Sequence, residues 1–437
     1  VQDTIIGTLD AGPAAAPPVL PSARLSRLAD LTAAELAESA TTGGAAGPQV
    51  LSEQALQDVL AAVDASTAAN TKKAYRSDWS RFTLWADAGG FPPLPASPFV
   101  VAHYVTEAAA DMTGVGKWRY TPATLTRWVS SINQFHTAAG LDAPGRAEVV
   151  RRALSGIRRI RQVPPVRRSP LLLEDVRTLL QHLSAWAPDW PAGVAARRDT
   201  SLLVMGFAGA YRRSELVALT VGDVTVHRSD GLHVRSRSSK TDQDAHGAVK
   251  ALPYGRDPVT CPPCAFVRWR EVLHAADDAI GDDPRAQRKA VMRVLHRQAA
   301  AAAPTSTGGG GEEPAGDRES ELLHVCRTTR IPEPTDPDRV LFPSVHATGV
   351  IRDTSMTGHA VNEMIKRRAD QAGFSSAQIA LLGGHSLRAG FVTEAFRQGA
   401  DAHAIMRQTG HRGPGMLEVY AREHAPLVGN AVTRLGL

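Results

Sequence analysis

The stretch GGHSLRAGFVTEAFRQGA, residues 383–400, sets His385 and Arg388 three positions apart at the start of a helix. Residues at that spacing share a helix face, so an imidazole and a guanidinium project the same way. Ser386 reads as the N-cap. The next segment, DAHAIMRQ (401–408), is a short helix that stops at Gly410, a residue type suited to the left-handed turn ending a helix. His411 follows directly. Gly413-Pro414 then turns the chain, and MLEVYARE (416–423) resumes as a helix carrying Tyr420.

Upstream, GAYRRSELVAL (209–219) supplies Arg212 at a junction between helices. The pattern is helical from Leu171 to about Leu219 and then changes period. Segments 224–227, 231–238 and 248–253 alternate and are separated by turn residues, which predicts a short antiparallel sheet. SKTDQ (239–243) places Lys240 in its hairpin turn. Helices resume near His359 and continue to the end. The catalytic-type region is thus 171–437, interrupted by a low-complexity stretch at 299–320, AAAAAPTSTGGGGEEPAGDRES, expected to be a disordered insertion.

Residues 51–160 read as a small helical domain. Tyr75, Trp79, Phe82 and Trp85 recur at three- and four-residue steps. Thr121-Pro122 opens a second helix with Leu125, Trp128, Val129, Ile132 and Phe135 on one face. Residues 1–50 are rich in Ala, Pro and Gly and read as a flexible extension, with a leucine spacing at 23–40 that suits one helix. RRALSGIRRIRQVPPVRRS (151–169) holds seven arginines, and no acid lies between Glu148 and Glu174. Pro164-Pro165 breaks the helix there, so a basic helix runs into a basic linker, 161–170, suited to lie across phosphates. The fold class expected is mainly α with a small antiparallel β-sheet (α+β).

Composition narrows the function. The 437 residues carry 49 Lys plus Arg against 44 Asp plus Glu, a net +5. Residues 1–66 hold two basic and eight acidic side chains, a net of −6, so the remainder carries +11. A basic body of that kind is expected to meet a polyanion. No apolar run reaches the ~18–20 residues needed to span a bilayer, and the first twenty residues lack a signal-peptide pattern. Three cysteines make no disulfide framework. A cytoplasmic, nucleoid-associated protein with no membrane partner is the expectation.

Arg, Lys, His, Arg, His and Tyr in that order resemble the tyrosine recombinase, or phage integrase, family. The matching positions are Arg212 in R-x-S-E-L, the hairpin Lys240, His385 and Arg388 in H-x-x-R, and His411 in G-H, followed nine residues later by Tyr420. The resemblance covers 171–437 and extends to 67–160, similar to the family's helical core-binding domain. It implies a site-specific recombinase, integrating or excising a mobile element, that cleaves and rejoins duplex DNA through a 3′-phosphotyrosine.

That chemistry needs these residue types. Attack on a phosphodiester generates a pentacoordinate phosphorane, and planar guanidinium groups can hold its anionic oxygens with bidentate hydrogen bonds. The clamp is assigned to Arg212 and Arg388, with His411 donating a further hydrogen bond and Glu215 orienting Arg212. Tyr420 is the expected nucleophile. By resemblance, His385 assists removal of its proton and Lys240 protonates the departing 5′ oxygen. Exchange of one phosphate ester for another needs no cofactor, and no metal is expected. Cys261-Pro-Pro-Cys264 has ligand spacing, but a structural zinc takes four ligands. Cys326 and the nearby histidines are not spaced as a second pair.

Two basic domains joined by a basic linker imply a clamp around duplex recombination sites. Lys72, Lys73, Arg76, Thr124 and Arg127 are the candidate DNA contacts in the helical domain. Arg151, Arg152, Arg158, Arg159, Arg161, Arg167 and Arg168 are those of the strap. By resemblance, the chain is a monomer when free and a homotetramer on DNA. The apolar positions Leu427, Val428, Val432, Leu435 and Leu437 suit packing on a neighbour or on their own domain. An accessory DNA-bending protein or a partner recombinase fits the same scheme. A type IB topoisomerase, a catalytically poor DNA-binding regulator of the same fold and a basic RNA-binding scaffold are the competing readings. The first uses a similar pentad, but the motifs around His385 and Tyr420 and the helical N-terminal domain favour the recombinase. The second gives no reason for an unsubstituted set, and the third no reason for the six residues at all.

Overall fold

The computed structural model describes residues 52–65, 69–162, 168–186, 188–237, 248–279, 283–302, 324–331, 333–334, 336–411 and 413–424, with positions 430, 432 and 435. The 23–40 helix, Lys240, Arg167, Leu427, Val428, Leu437 and most of the 299–320 stretch lie outside them. The chain divides into two compact units, residues 1–165 and 166–437. No helix among the described residues is long and apolar enough to cross a membrane.

The first unit is helical: α1 (Glu53–Ala65), α2 (Ala69–Ala88), α3 (Pro98–Ala110), α4 (Pro122–Ala138) and α5 (Glu148–Arg161). The aromatic spacing seen in the sequence forms its core. Phe82 is fully buried, and the Trp79 ring stacks on Phe135 of α4 with centroids 4.5 Å apart. Helix α4 starts as its sequence dictates: Thr121 accepts a hydrogen bond from the Thr124 amide and Pro122 occupies the first turn. His136 is a core residue, accepting the Ala96 amide at Nε2 while Nδ1–H donates to the Ile132 carbonyl. Helix α5 buries Val150, Leu154 and Ile157 and turns its arginines outward, Arg161 excepted.

The second unit is built on α6 (Leu173–Ala185) and α7 (Ala192–Ala208), the latter buried along most of its length. Short α8 (Arg213–Val217) leads into a three-stranded antiparallel sheet, β1 (Val224–His227), β2 (Gly231–Ser236) and β3 (Ala248–Leu252), in that order. Helices α9 (Pro262–Asp277), α10 (Pro284–Ala302) and α11 (Val325–Thr328) follow. A two-stranded pair, β4 (Pro343–Val345) and β5 (Ile351–Ser355), was not foreseen in the sequence. Then come α12 (Gly358–Gln371), α13 (Ser376–Leu381), α14 (Gly384–Arg397), α15 (Ala402–Thr409) and α16 (Gly415–His424). The fold is mainly α with small antiparallel sheets, as expected. Helix α10 runs through Ala302 into the stretch assigned to the insertion, because its alanine run is the best helix-forming composition available.

One buried ion group locks this unit together. The Asp199 carboxylate on α7 is fully buried and accepts two hydrogen bonds at each oxygen. Arg198 supplies the pair on Oδ1 at 3.0 and 2.7 Å, and Arg368 of α12 supplies the pair on Oδ2 at 2.9 and 2.7 Å. Burial opposes its ionisation, yet the two guanidinium groups prevail and hold its carboxyl below the usual range.

Candidate active site

Helix α14 carries the H-x-x-R pair, and three contacts fix where it begins. Its cap is Gly383, not Ser386. Ser386 sits in the first turn, where its Oγ accepts the Gly383 amide at 3.1 Å and its carbonyl accepts the Leu171 amide at 3.0 Å. The Gly384 amide is taken by Asn362 Oδ1 at 2.7 Å, a tertiary contact that moves the helix start ahead of the local serine signal. One turn on, a side chain at Gly390 would overlap the Leu171 carbonyl, so only glycine permits this approach.

Arg388 is 1% exposed. Its Nη1 donates to the Ala210 carbonyl at 2.6 Å and its Nη2 to His411 Nε2 at 2.9 Å. Arginine has no acceptor, so His411 Nε2 must be unprotonated. The other nitrogen, Nδ1, lies 2.9 Å from Thr409 Oγ1, whose own hydroxyl is spent on the Ile405 carbonyl at 2.8 Å. The chain of donors is therefore closed: Arg388 to His411, His411 Nδ1–H to Thr409, Thr409 to backbone. Burial first, then the charges of Arg388 and Arg212, push His411 down to about 4. This differs from the sequence expectation of a phosphate-donating His411, whose accepting nitrogen here serves Arg388.

Tyr420 lies on α16 in an apolar seat with Ala389, Val392, Ile405 and Leu417, 8% exposed. Its hydroxyl is 2.5 Å from His385 Nε2. Burial, with the positive charges of Arg388 and Arg212, holds His385 below its ordinary range, so the ring is neutral near pH 7 and able to accept the phenol's proton.

Arg212 caps α8. Its Nη1 donates to Glu215 Oε1 at 2.6 Å, and its amide donates to Glu215 Oε2 at 3.0 Å. Glu215 thus accepts from both the backbone and the side chain of Arg212. The turn just ahead, Gly209-Ala210, has Ala210 at φ +46, a left-handed conformation unusual for a residue with a Cβ.

That turn is also held by a residue the sequence reading missed. Lys250 of β3 is 7% exposed, donates from Nζ to the Gly209 carbonyl at 2.8 Å, and sits 4.3 Å from the Tyr211 ring centre. Successive carbonyls of a strained turn are therefore pinned by two buried cations, Lys250 and Arg388. Burial pushes Lys250 down to about 8, with Glu215 acting in the opposite direction. Lys250 pairs with Val234, and Leu252 with Leu232, on the inner face of the sheet. A lysine in phase with Leu252 was the available signal.

The structure thus brings Arg212, Glu215, His385, Arg388, His411 and Tyr420 together, joined by Lys250. The DNA-contact candidates divide. Arg161 turns inward, donating to the Tyr120 and Ala109 carbonyls with its guanidinium over the Trp118 ring, which removes it from the strap. Arg151 and Arg152 are exposed but share Glu148. Arg158 donates to Thr126 at 2.9 Å from an exposed position, and Arg159 is exposed beside it. Arg127 pairs with buried Asp78 at 2.9 Å, and the Thr124 hydroxyl meets Thr121. Lys73 and Arg76 are exposed, Lys72 half-buried. Arg168 donates to the Ala380 carbonyl.

A second cluster lies apart from this set. Cys261 and Cys264 do find a second pair: His324 and Cys326 join them, all four buried, with ligand atoms within 4.8 Å of one another. The sequence concealed this because His324 and Cys326 lie far along the chain from the first pair, beyond helices α9 and α10. Exposed His227, Asp230 and half-buried His233 form another group.

Residues 305–425 match the phage integrase family model. That stretch holds His385, Arg388, His411 and Tyr420, with Arg212 upstream of it. The chain is 28% identical over 376 residues to an integrase/recombinase xerD homolog of Selenomonas ruminantium, covering 85% of this chain and 87% of that protein. Among solved structures, it is similar to the Tn1549 transposon integrase (residues 82–397 of that protein) in complex with circular intermediate DNA, at 14% identity. That match covers 81% of this chain and 90% of the other, with a TM-score of 0.41. It is also similar to the XerH site-specific recombinase bound to palindromic difH substrate in a post-cleavage complex. There the identity is 12%, the coverage 77% and 72%, and the TM-score 0.40.

Proposed function

We propose that this chain is a tyrosine recombinase of the phage integrase family, whose model matches residues 305–425, and that it cleaves and rejoins duplex DNA at specific sites with Tyr420 as nucleophile, in the service of a mobile element. The observation that carries the reading is the 2.5 Å contact between the Tyr420 hydroxyl and a neutral His385, beside two arginines. An aromatic kept for packing alone has no need of a base at its hydroxyl.

In the cleavage step, Tyr420 Oη attacks phosphorus while its proton passes to His385 Nε2. The bond from phosphorus to the 5′ oxygen breaks, leaving a 3′-phosphotyrosine. The departing oxygen takes a proton from Lys240 by the family resemblance, and rejoining is the reverse exchange with a second 5′-hydroxyl. Arg212 and Arg388 stabilise the anionic oxygens, typically the largest catalytic contribution. For Arg388 and His411 to meet phosphate, DNA must draw donors from the pair that now satisfy each other. Lys250 acts at one remove, holding the turn that presents Arg212 and anchors Arg388. The supporting experiment is covalent trapping on a nicked duplex, using a site recovered by binding selection from random sequence and comparing wild type with Tyr420→Phe. Co-migration of four protomers on that duplex tests the tetramer.

A further inference from the structure

Cys261, Cys264, His324 and Cys326 take no part in the recombination chemistry, yet they converge on one point. Cys264 Sγ lies 3.3 Å from Cys326 Sγ and 3.4 Å from His324 Nδ1. Cys326 Sγ lies 4.0 Å from Cys261 Sγ and 3.9 Å from His324 Nδ1. A tetrahedral zinc with Zn–S near 2.3 Å and Zn–N near 2.0 Å requires ligand-to-ligand edges of about 3.8 Å between sulfurs and about 3.5 Å from sulfur to nitrogen. The observed edges bracket those lengths. They are also far longer than the ~2.05 Å of a disulfide, and all three cysteines are free.

The surroundings are built for a metal in four further ways. His324 turns Nε2 onto the Arg256 carbonyl at 3.3 Å. That hydrogen bond fixes the proton there and leaves the Nδ1 lone pair facing the sulfurs, the outer-shell arrangement of metal-bound imidazoles. The Gly255 amide donates to Cys261 Sγ at 3.3 Å, and a Cβ at Gly255 would crowd Cys261 Cα at 2.8 Å, so the backbone wraps the sulfur closely. Cys261 caps α9 and Cys264 lies in its first turn, where the helix dipole favours thiolates. Val267 with Val325 and Ile331 seals the group from solvent.

We propose that these four side chains bind one zinc ion as a closed, structural Cys3His site. Soft thiolates and imidazole in a tetrahedron select zinc over hard cations. Four buried protein ligands leave no position for water or substrate, which separates this centre from a catalytic one. The ion ties the segment entering α11 to the β3–α9 connection, closing the chain between Cys264 and His324 as one loop. It thereby supports the strand that carries Lys250, which leads into the Cys261 segment.

The test is metal analysis of the full chain purified anaerobically without chelator. About one zinc per chain is expected. Cobalt reconstitution of the demetallated wild type is expected to give the visible bands of tetrahedral cobalt with thiolate-to-metal charge transfer. Cys264→Ser is expected to lose the zinc, while His233→Ala, which disrupts the exposed His227–Asp230–His233 group, keeps it. Absence of both zinc and the cobalt spectrum in the wild type overturns the proposal, as does metal that follows His233 rather than Cys264. A Cys264–Cys326 disulfide found in the same preparation by mass spectrometry of alkylated peptides also overturns it. The wild-type cobalt spectrum does not depend on any variant folding. None of these readouts depends on Tyr420, so this proposal and the recombinase reading fail separately.

Discussion

The Tyr420 hydroxyl and His385 Nε2 meet at 2.5 Å across 35 residues of sequence, within one chain. The helix that carries Tyr420 packs there in the apolar seat of Val392, Ile405 and Leu417. His385 is kept neutral by burial and by Arg388 and Arg212, the arginines proposed to meet phosphate. In the proposed reaction, charge on the cations serves twice, once toward the DNA and once toward the protonation state of His385.

The donor chain from Arg388 through His411 to Thr409 fixes a pH response. His411 has a folded value of about 4 against about 6.5 when unfolded, so the unfolded chain binds more protons between those values. Its contribution to stability is fully present above about pH 6.5 and is lost as pH falls toward about 4. In the DNA-free protein, the His411 ring resonances are expected to remain those of a neutral imidazole at pH 5.5. A ring already protonated there contradicts the assigned tautomer.

Asp199 is predicted to be the costliest single polar residue to alter. Asp199→Asn leaves Arg198 and Arg368 buried without a counter-charge and is expected to lower stability by about 3–5 kcal/mol in urea unfolding. A loss below about 1 kcal/mol would mean that the two arginines find other partners.

Lys250 gives an alkaline signature. Its folded value near 8 lies below the unfolded ~10.4, so between those values the unfolded state binds more protons and stability rises with pH. Wild type is expected to gain thermal stability relative to Lys250→Met from about pH 8 to about pH 10. A constant difference across that range contradicts a lysine depressed by burial.

The arginines of α5 separate into two roles. Arg158→Glu with Arg159→Glu is expected to weaken DNA binding and lower the slope of log affinity against log salt by about 2, near one for each phosphate no longer neutralised. Arg161→Ala is expected to leave that slope unchanged and lower the melting temperature, since its donors serve the Tyr120 and Ala109 carbonyls. The reverse pattern would restore Arg161 to the strap.

What the sequence made legible was mostly local. The aromatic steps of α2, the Thr121-Pro122 start of α4 and the Gly410 stop of α15 each rest on neighbours within one or two turns, and each formed where read. The candidate set was proposed from residue types and their order, not from distance. What escaped depends on chain closure. Asn362, on the earlier helix α12, displaced the Ser386 cap, and the β4–β5 pair is too short to show a period. Lys250 sits in AVKAL, whose alternation alone leaves the inner face undecided. His324 completes a cluster begun two helices earlier. Arg161 differs from its neighbours only through the carbonyls that happen to face it.

The most direct test of the central claim is a denaturing-gel trapping assay on a nicked duplex carrying the selected site, with wild type and Tyr420→Phe at equal DNA occupancy. A covalent protein–DNA band in wild type, absent in Tyr420→Phe, is the predicted result. A band that persists in Tyr420→Phe, or no band with either protein on fully bound duplex, would contradict it.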